Sequence, residues 1–371
     1  ATWRAALTRV QETSGEVRQE ITTNIARLRS QEQFGDRIPV VVLLLIAGVF
    51  LVVQGPRAIE RLVDRVERGS SEQGQIVYGF LVSLGAILLP LIGISLINFA
   101  LISTGILGPI GQAIAVGLNI GIIVVAASRW LGGRIFPERG DALTPMSLSD
   151  ADRARGRRVS RLAGWFLAAL LFLRSIDDVE GYSGLFISVV AFPIFVVLGG
   201  LLFMLGRLVR KGQSSDDDAH GYSNYLMGIV GRAVQTIAVV GPLVAAVGYY
   251  NFARGLLIPL TQTLAVIAFL VTLHYVIRAA YGLVRGLTSE DSENALVPVL
   301  ISFMITGATL PLVALFWGAR QTDLAELWTR FLAGVQVGES TITPSAFLTV
   351  ILVFLIGMML TRLIQGVLRK S

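Results

Sequence analysis

Long apolar stretches bounded by charged or turn residues restrict this chain more than any other feature. Nine of them run at 38–53, 75–103, 106–127, 162–175, 184–208, 225–249, 256–283, 296–318 and 346–368. A helix crossing a hydrocarbon core about 30 Å thick needs about 20 such residues. Most of the stretches meet that length, and 162–175 is the shortest. Composition agrees: hydrophobic residues make up 54% and charged residues 15% of the 371 residues, with a mean hydropathy of +0.70. Soluble domains carry about 25% charged residues, so the chain reads as an all-α polytopic membrane protein with about nine transmembrane helices. Pro90, Pro193, Pro242, Pro259 and Pro311 fall inside the stretches and predict kinks, because each removes a backbone hydrogen bond.

Orientation follows from the basic residues on alternate connections, since Lys and Arg are retained on the cytoplasmic side. One side collects twenty, including Arg57, Arg61, Arg65 and Arg68, the run from Arg129 to Arg161, and Arg362, Arg369 and Lys370. Apart from the N-terminal segment, the other side has four: Arg174, Arg254, Arg320 and Arg330. This places the N-terminus in the periplasm and the C-terminus in the cytoplasm. The outer connections after the second, fourth and sixth spans are short. The second to ninth spans are therefore expected as four sequential hairpins, arranged like a paddle after one leading helix.

Between the spans, several segments have their own patterns. Residues 1–37 place Trp3, Leu7, Val10, Val17, Ile21, Ile25 and Leu28 at alternating three- and four-residue steps, interrupted at Ser14. This is the stripe of a helix packed on another helix. It reads as the end of a periplasmic helical domain or as a helix packed on a neighbouring subunit. After the first span (38–54), residues 55–72 set Ala58, Ile59, Leu62, Val63 and Val66 against Arg57, Arg61, Arg65 and Arg68. With Pro56 able to open a helix and Gly69 able to close one, an amphipathic helix lying in the inner interface is expected there. The alternative is a first span that runs on into a charged helix laced by Glu60, Asp64 and Glu67. A hairpin array fills 73–318.

The arginine-rich inner loop carries a helix-start signature at Ser149 or Asp150, and positive-inside retention accounts for its charge. In the outer loop, 319–344, Leu324, Leu327, Trp328, Phe331 and Leu332 make one apolar face, expected as a short helix on the outer interface anchored by Trp328.

Catalysis finds no constellation to work with. Cysteine is absent, and the histidines are His220 and His274. Asp216, Asp217, Asp218 and His220 lack the spaced ligands and glycine of a calcium loop. They read as a solvated hairpin loop, so no catalytic, cofactor or metal site is expected. Within the spans, Arg232 and His274 are the polar candidates, while Arg174 has Asp177 and Asp178 at helical pairing distance. A secondary transporter, with Arg232 at moderate depth and Ile305 to Pro311 as a broken helix, is the main competing reading. A non-conducting membrane scaffold is the other. Nucleic acid and small-molecule substrates are not expected partners.

The closing stretch SAFLTVILVFLIGMMLTRLIQGVLRK resembles the first core helix of the mechanosensitive channel of small conductance family, at Phe347, Leu355, Ile356, Gly357, Arg362, Leu363, Ile364, Arg369 and Lys370. The loop before it resembles the outer loop of the larger members, which carry a periplasmic helical domain and many extra helices. The pore helix and cytoplasmic vestibule of that family do not follow, and 345–371 matches the first core helix alone. The resemblance implies the tension-sensing region of a mechanosensitive ion channel subunit in the bacterial inner membrane. It would be homo-heptameric, bind membrane lipids, and release ions and small solutes on hypo-osmotic shock. Arg57, Arg61, Arg65, Arg68, Trp328, Arg362, Arg369 and Lys370 are the expected lipid anchors.

Overall fold

The structure, a computed structural model, describes residues 2–29, 34–67, 72–138, 148–180, 184–212, 221–286, 295–337, 340–342 and 353. It divides into two compact units, Ala1–Thr309 and Leu310–Ser371. The helices of the first unit are α1 (Thr2–Arg29), α2 (Phe34–Glu67), α3 (Glu72–Ser103), α4 (Pro109–Ile135), α5 (Asp150–Glu180), α6 (Gly184–Lys211), α7 (Gly221–Ala246), α8 (Tyr250–Arg285) and most of α9 (Leu296–Phe316). The second unit holds the end of α9, α10 (Gln321–Ala333) and the antiparallel strands β1 (Val335–Val337) and β2 (Ser340–Ile342), with Val335 opposite Ile342. The helices α2 to α9 are the eight, among the described residues, that are long and apolar enough to cross a membrane. The ninth expected span, 346–368, lies outside the described residues except for Val353, as do Arg68, Arg362, Arg369, Lys370 and the Asp216 to His220 loop.

Two helices differ from their expected lengths. Residues 55–67 continue α2, which runs unbroken from Phe34 to Glu67, as in the alternative where the first span runs on into a charged helix. Pro56 forgoes one backbone donor, but the packing against α3 holds on both sides of it. A Cβ on Gly55 would stand 2.8 Å from the Leu89 Cβ, and Ile59 meets Gly85 one turn later. The short fourth stretch is likewise the middle of a much longer helix. Ser149 accepts the Asp152 N–H at 3.2 Å and donates to its carboxylate at 2.8 Å. This reciprocal N-terminal cap starts α5 three turns before the apolar part.

Pairing also differs from expectation. The most extensive packing joins α2 to α3, α4 to α5, and α6 to α7, so the pairs are shifted by one helix from the expected hairpins. Loop length suggested the outer turns, but close approach is decided by small residues. The backbones of α2 and α3 meet where Gly48 and Gly93 face one another, each with the other's carbonyl oxygen 2.6 Å from where a Cβ would sit. Ser128 and Ser160 occupy the space left by Gly164 and Gly132 between α4 and α5, and Gly206 faces Gly231 between α6 and α7. Inside a lipid phase, where apolar side chains gain little by leaving the solvent, such faces are what bring helices together.

The array is not a linear string either. Besides α7, helix α8 packs on α3, α4 and α6. Its Phe269 ring lies 6.3 Å from Trp130 of α4, which sits 5.7 Å from Phe80 of α3 and donates its indole N–H to Ser83 at 2.9 Å. A second core gathers Phe195, Leu198, Leu202, Ala238, Ala253 and Leu257 from α6, α7 and α8. At the other extreme, Pro298 is the buried residue of α9. The stripe of α1 finds part of its partner within the same chain: α1 packs on α6, and Asn24 donates to the Ile106 carbonyl in the α3–α4 turn at 3.1 Å.

Candidate functional site

Antiparallel alternation brings the ends of α4, α6 and α8 together with the beginnings of α3, α5 and α7, and these are the turns that carry the arginine run. Helix ends leave carbonyls without intrahelical partners. Here one of the arginines supplies such donors, and others reach carbonyls elsewhere. Arg157 on α5 donates to the Phe136 and Pro137 carbonyls beyond the end of α4, at 2.8 and 3.1 Å, and lies 3.9 Å from Glu138. Arg134 on α4 donates to the Gly79 carbonyl of α3 at 2.7 Å. Arg153 closes onto the Leu148 carbonyl at 2.9 Å and pairs with Asp150. The Arg157 and Arg134 bonds tie neighbouring segments, so the cluster also acts as a clamp between helices.

Asp152 is the centre of this clamp. Its side chain is 5% exposed, and its carboxylate pairs with Lys211 at the end of α6, accepts from Ser149, and lies 3.4 Å from Arg155. A buried carboxylate is stable only when paired and hydrogen-bonded, and all three partners meet that requirement. Lys211 remains 60% exposed, so the pair sits at the edge of the bundle. Sequence reasoning missed Asp152. The usable signature was an acid in the first turn of one helix and a base in the last turn of the next, which an antiparallel pair places side by side.

The expected polar residues of the spans are not brought together. Arg232 on α7 is exposed, and its Nε donates to the Gly228 carbonyl one turn back on the same helix at 3.2 Å. His274 on α8 instead reaches another helix, with its Nδ1 2.6 Å from the Ser302 hydroxyl of α9 and its ring edge-on to Tyr275. Arg174 pairs with Asp178 at 3.6 Å. Of the expected anchors, Arg57 and Arg61 are exposed on α2, and the backbone of Arg65 lies in the same helix.

In the second unit, the α10 helix forms as its apolar spacing predicts. Asp323 accepts the Arg320 N–H at 3.4 Å at its start, and Gly334 at φ 84° ends it. Trp328, 61% exposed, lies 5.7 Å ring to ring from Phe331, so the apolar face stands open. Comparison of the chain with protein-family models, with curated proteins and with solved structures finds no match.

Proposed function

We propose that this chain is the tension-sensing membrane region of a mechanosensitive ion channel subunit. In this reading it is embedded in the bacterial inner membrane with α1 in the periplasm, and it assembles as a homo-oligomer around a pore. The observation that carries the reading is the contrast between glycine-tight helix pairs and the broad apolar surface they leave open. Leu43, Ile46, Phe50 and Phe99, on α2 and α3, are all more than 60% exposed. Lateral tension favours whichever packing occupies the larger area in the membrane plane, and an equilibrium shifts only by such a differential. Helices paired in twos, with lighter packing between pairs, can change area without breaking their closest contacts. Arg57, Arg61 and Arg65 on the continuous α2, Trp328, and Arg362, Arg369 and Lys370 in the closing segment are the anchors to headgroups.

The transporter reading loses its main residue, since the Arg232 side chain is exposed and bonds back to its own helix. The test is patch-clamp recording under stepped suction on spheroplasts that lack other mechanosensitive channels and express the full-length gene. Tension-gated steps support the sensor. Silence up to membrane rupture, with the protein shown to be in the membrane, removes it in favour of a scaffold or transporter.

A further inference from the structure

The arginines at the start of α5 divide into two sets. Arg153 and Arg157 spend their donors on the Leu148, Phe136 and Pro137 carbonyls, and Arg155 reaches Asp152. Arg158 and Arg161 are exposed, and among the described residues neither has a protein acceptor. At 3.6 residues per turn, Arg158, Arg161, Leu162 and Trp165 share one face. The other faces of α5 are taken: Ser160 and Gly164 meet α4, and Asp152 meets α6.

Along the open face the order of groups is guanidinium, guanidinium, then Leu162 at 47% exposed and Trp165 at 60% exposed. A phospholipid presents the complementary order, a phosphate followed by an acyl chain. The guanidinium fork suits phosphate oxygens, and tryptophan is the side chain that settles where headgroup meets chain. Retention of the loop on one side of the membrane requires only its number of charges. It does not require two unpartnered arginines directly above an exposed apolar pair.

We infer that this face of α5 binds an anionic phospholipid, with its phosphate on Arg158 and Arg161 and its upper acyl chain along Leu162 and Trp165. The inference rests on the arginine-rich end lying at headgroup level, and is independent of tension gating.

The test titrates purified protein in nonionic detergent with an anionic phospholipid and, separately, a zwitterionic one of the same acyl chains, counting bound lipid by native mass spectrometry. The wild-type protein is expected to retain the anionic lipid preferentially. Arg158→Gln with Arg161→Gln lowers that affinity about thirtyfold, the effect of two arginines at an anionic surface. Arg207→Gln with Arg285→Gln, an equal loss of charge at the ends of α6 and α8, leaves it nearly unchanged. An equal fall in both double variants overturns the site, because charge number alone then explains binding. Absence of any anionic preference in the wild-type protein overturns it without recourse to a variant, which covers a double variant that fails to fold. Inorganic phosphate serves as competitor: displacement of the lipid at millimolar concentration assigns the arginines to a soluble phosphate and overturns the lipid, whereas persistence supports it. Silent patches in the tension experiment leave all of these outcomes standing, so the two readings fail separately.

Discussion

Helices α4 and α9 are both apolar enough to cross a membrane, yet they are held in quite different ways. Helix α4 buries Gly111, Ala113, Ala115, Gly117, Trp130, Gly132 and Ile135. Helix α9 buries Pro298, while Phe303 and Met304 are 75% and 67% exposed. Apolarity therefore accounts for entering the bilayer and says little about the choice of neighbour. What separates the two is the supply of small residues set against a matching helix. Gly117 accommodates the Ser175 hydroxyl and the Phe172 ring of α5, whereas a Cβ on Gly307 of α9 would meet nothing within 4 Å.

The sharpest way to break this comparison is to fill the glycine faces. A Cβ on Gly48 would stand 2.6 Å from the Gly93 carbonyl oxygen, a backbone atom that cannot rotate away. Gly48→Leu is expected to destabilise the protein by about 3 kcal/mol, at the upper end for overpacking. Gly307→Leu is expected to change stability by no more than about 0.5 kcal/mol, as for a side chain entering open space. Denaturant titration of both variants in mixed micelles reads the difference. Equal losses would mean that glycine contacts do not set the pairing of these helices.

Asp152 tests the same contrast through charge. Asp152→Ala removes the acceptor shared by Lys211 and Ser149 and is expected to cost about 2 kcal/mol, the range for hydrogen bonds to a charged group. Lys211→Ala should cost less, since the lysine is 60% exposed and the carboxylate keeps Ser149 and Arg155. A double-mutant cycle on the two gives the coupling directly. A coupling near zero would reduce the α5–α6 clamp to a surface pair.

How far the sequence could be read follows from the same physics. Membrane class and the positions of the described spans were legible because most apolar stretches are long and end in charge, as at Arg57, Arg207 and Arg285, or in a turn, as at Gly105. The start of α5 was legible at Ser149, because a side-chain cap is a local interaction. Pairing was not. The short turn at 104–108 suggested that α3 and α4 form the tight pair, but Gly48, Gly55, Gly85 and Gly93 direct α3 to α2. Which glycines face one another depends on helix rotation and register, quantities that no single stretch encodes. Which of the two readings of the segment after the first span holds over 55–67 was not legible for a related reason. Pro56 is a strong opening residue in isolation, but contacts at Gly55 and Ile59 hold the chain helical across it. The arginine run was legible as a concentration of charge between two apolar stretches. Its division into clamping and open residues required the neighbours of α5 to be known.

A smaller loss than those at Gly48 and Asp152 is predicted on α9 itself. Where glycine contacts are lacking, the His274–Ser302 hydrogen bond is a polar tie between α8 and α9. Hydrogen bonds between membrane helices average about 0.6 kcal/mol, because unfolded segments in a membrane also find partners. Ser302→Ala is thus expected to cost roughly that amount, and Ser302→Thr, which keeps the hydroxyl, less. The loss should be local: hydrogen exchange along α9 should accelerate, while α4 and α5 keep their protection. If Ser302→Ala instead loosened α4 as much as α9, the two helices would belong to one cooperative unit. The contrast between glycine-packed and openly exposed helices would then describe their surfaces without describing their stability.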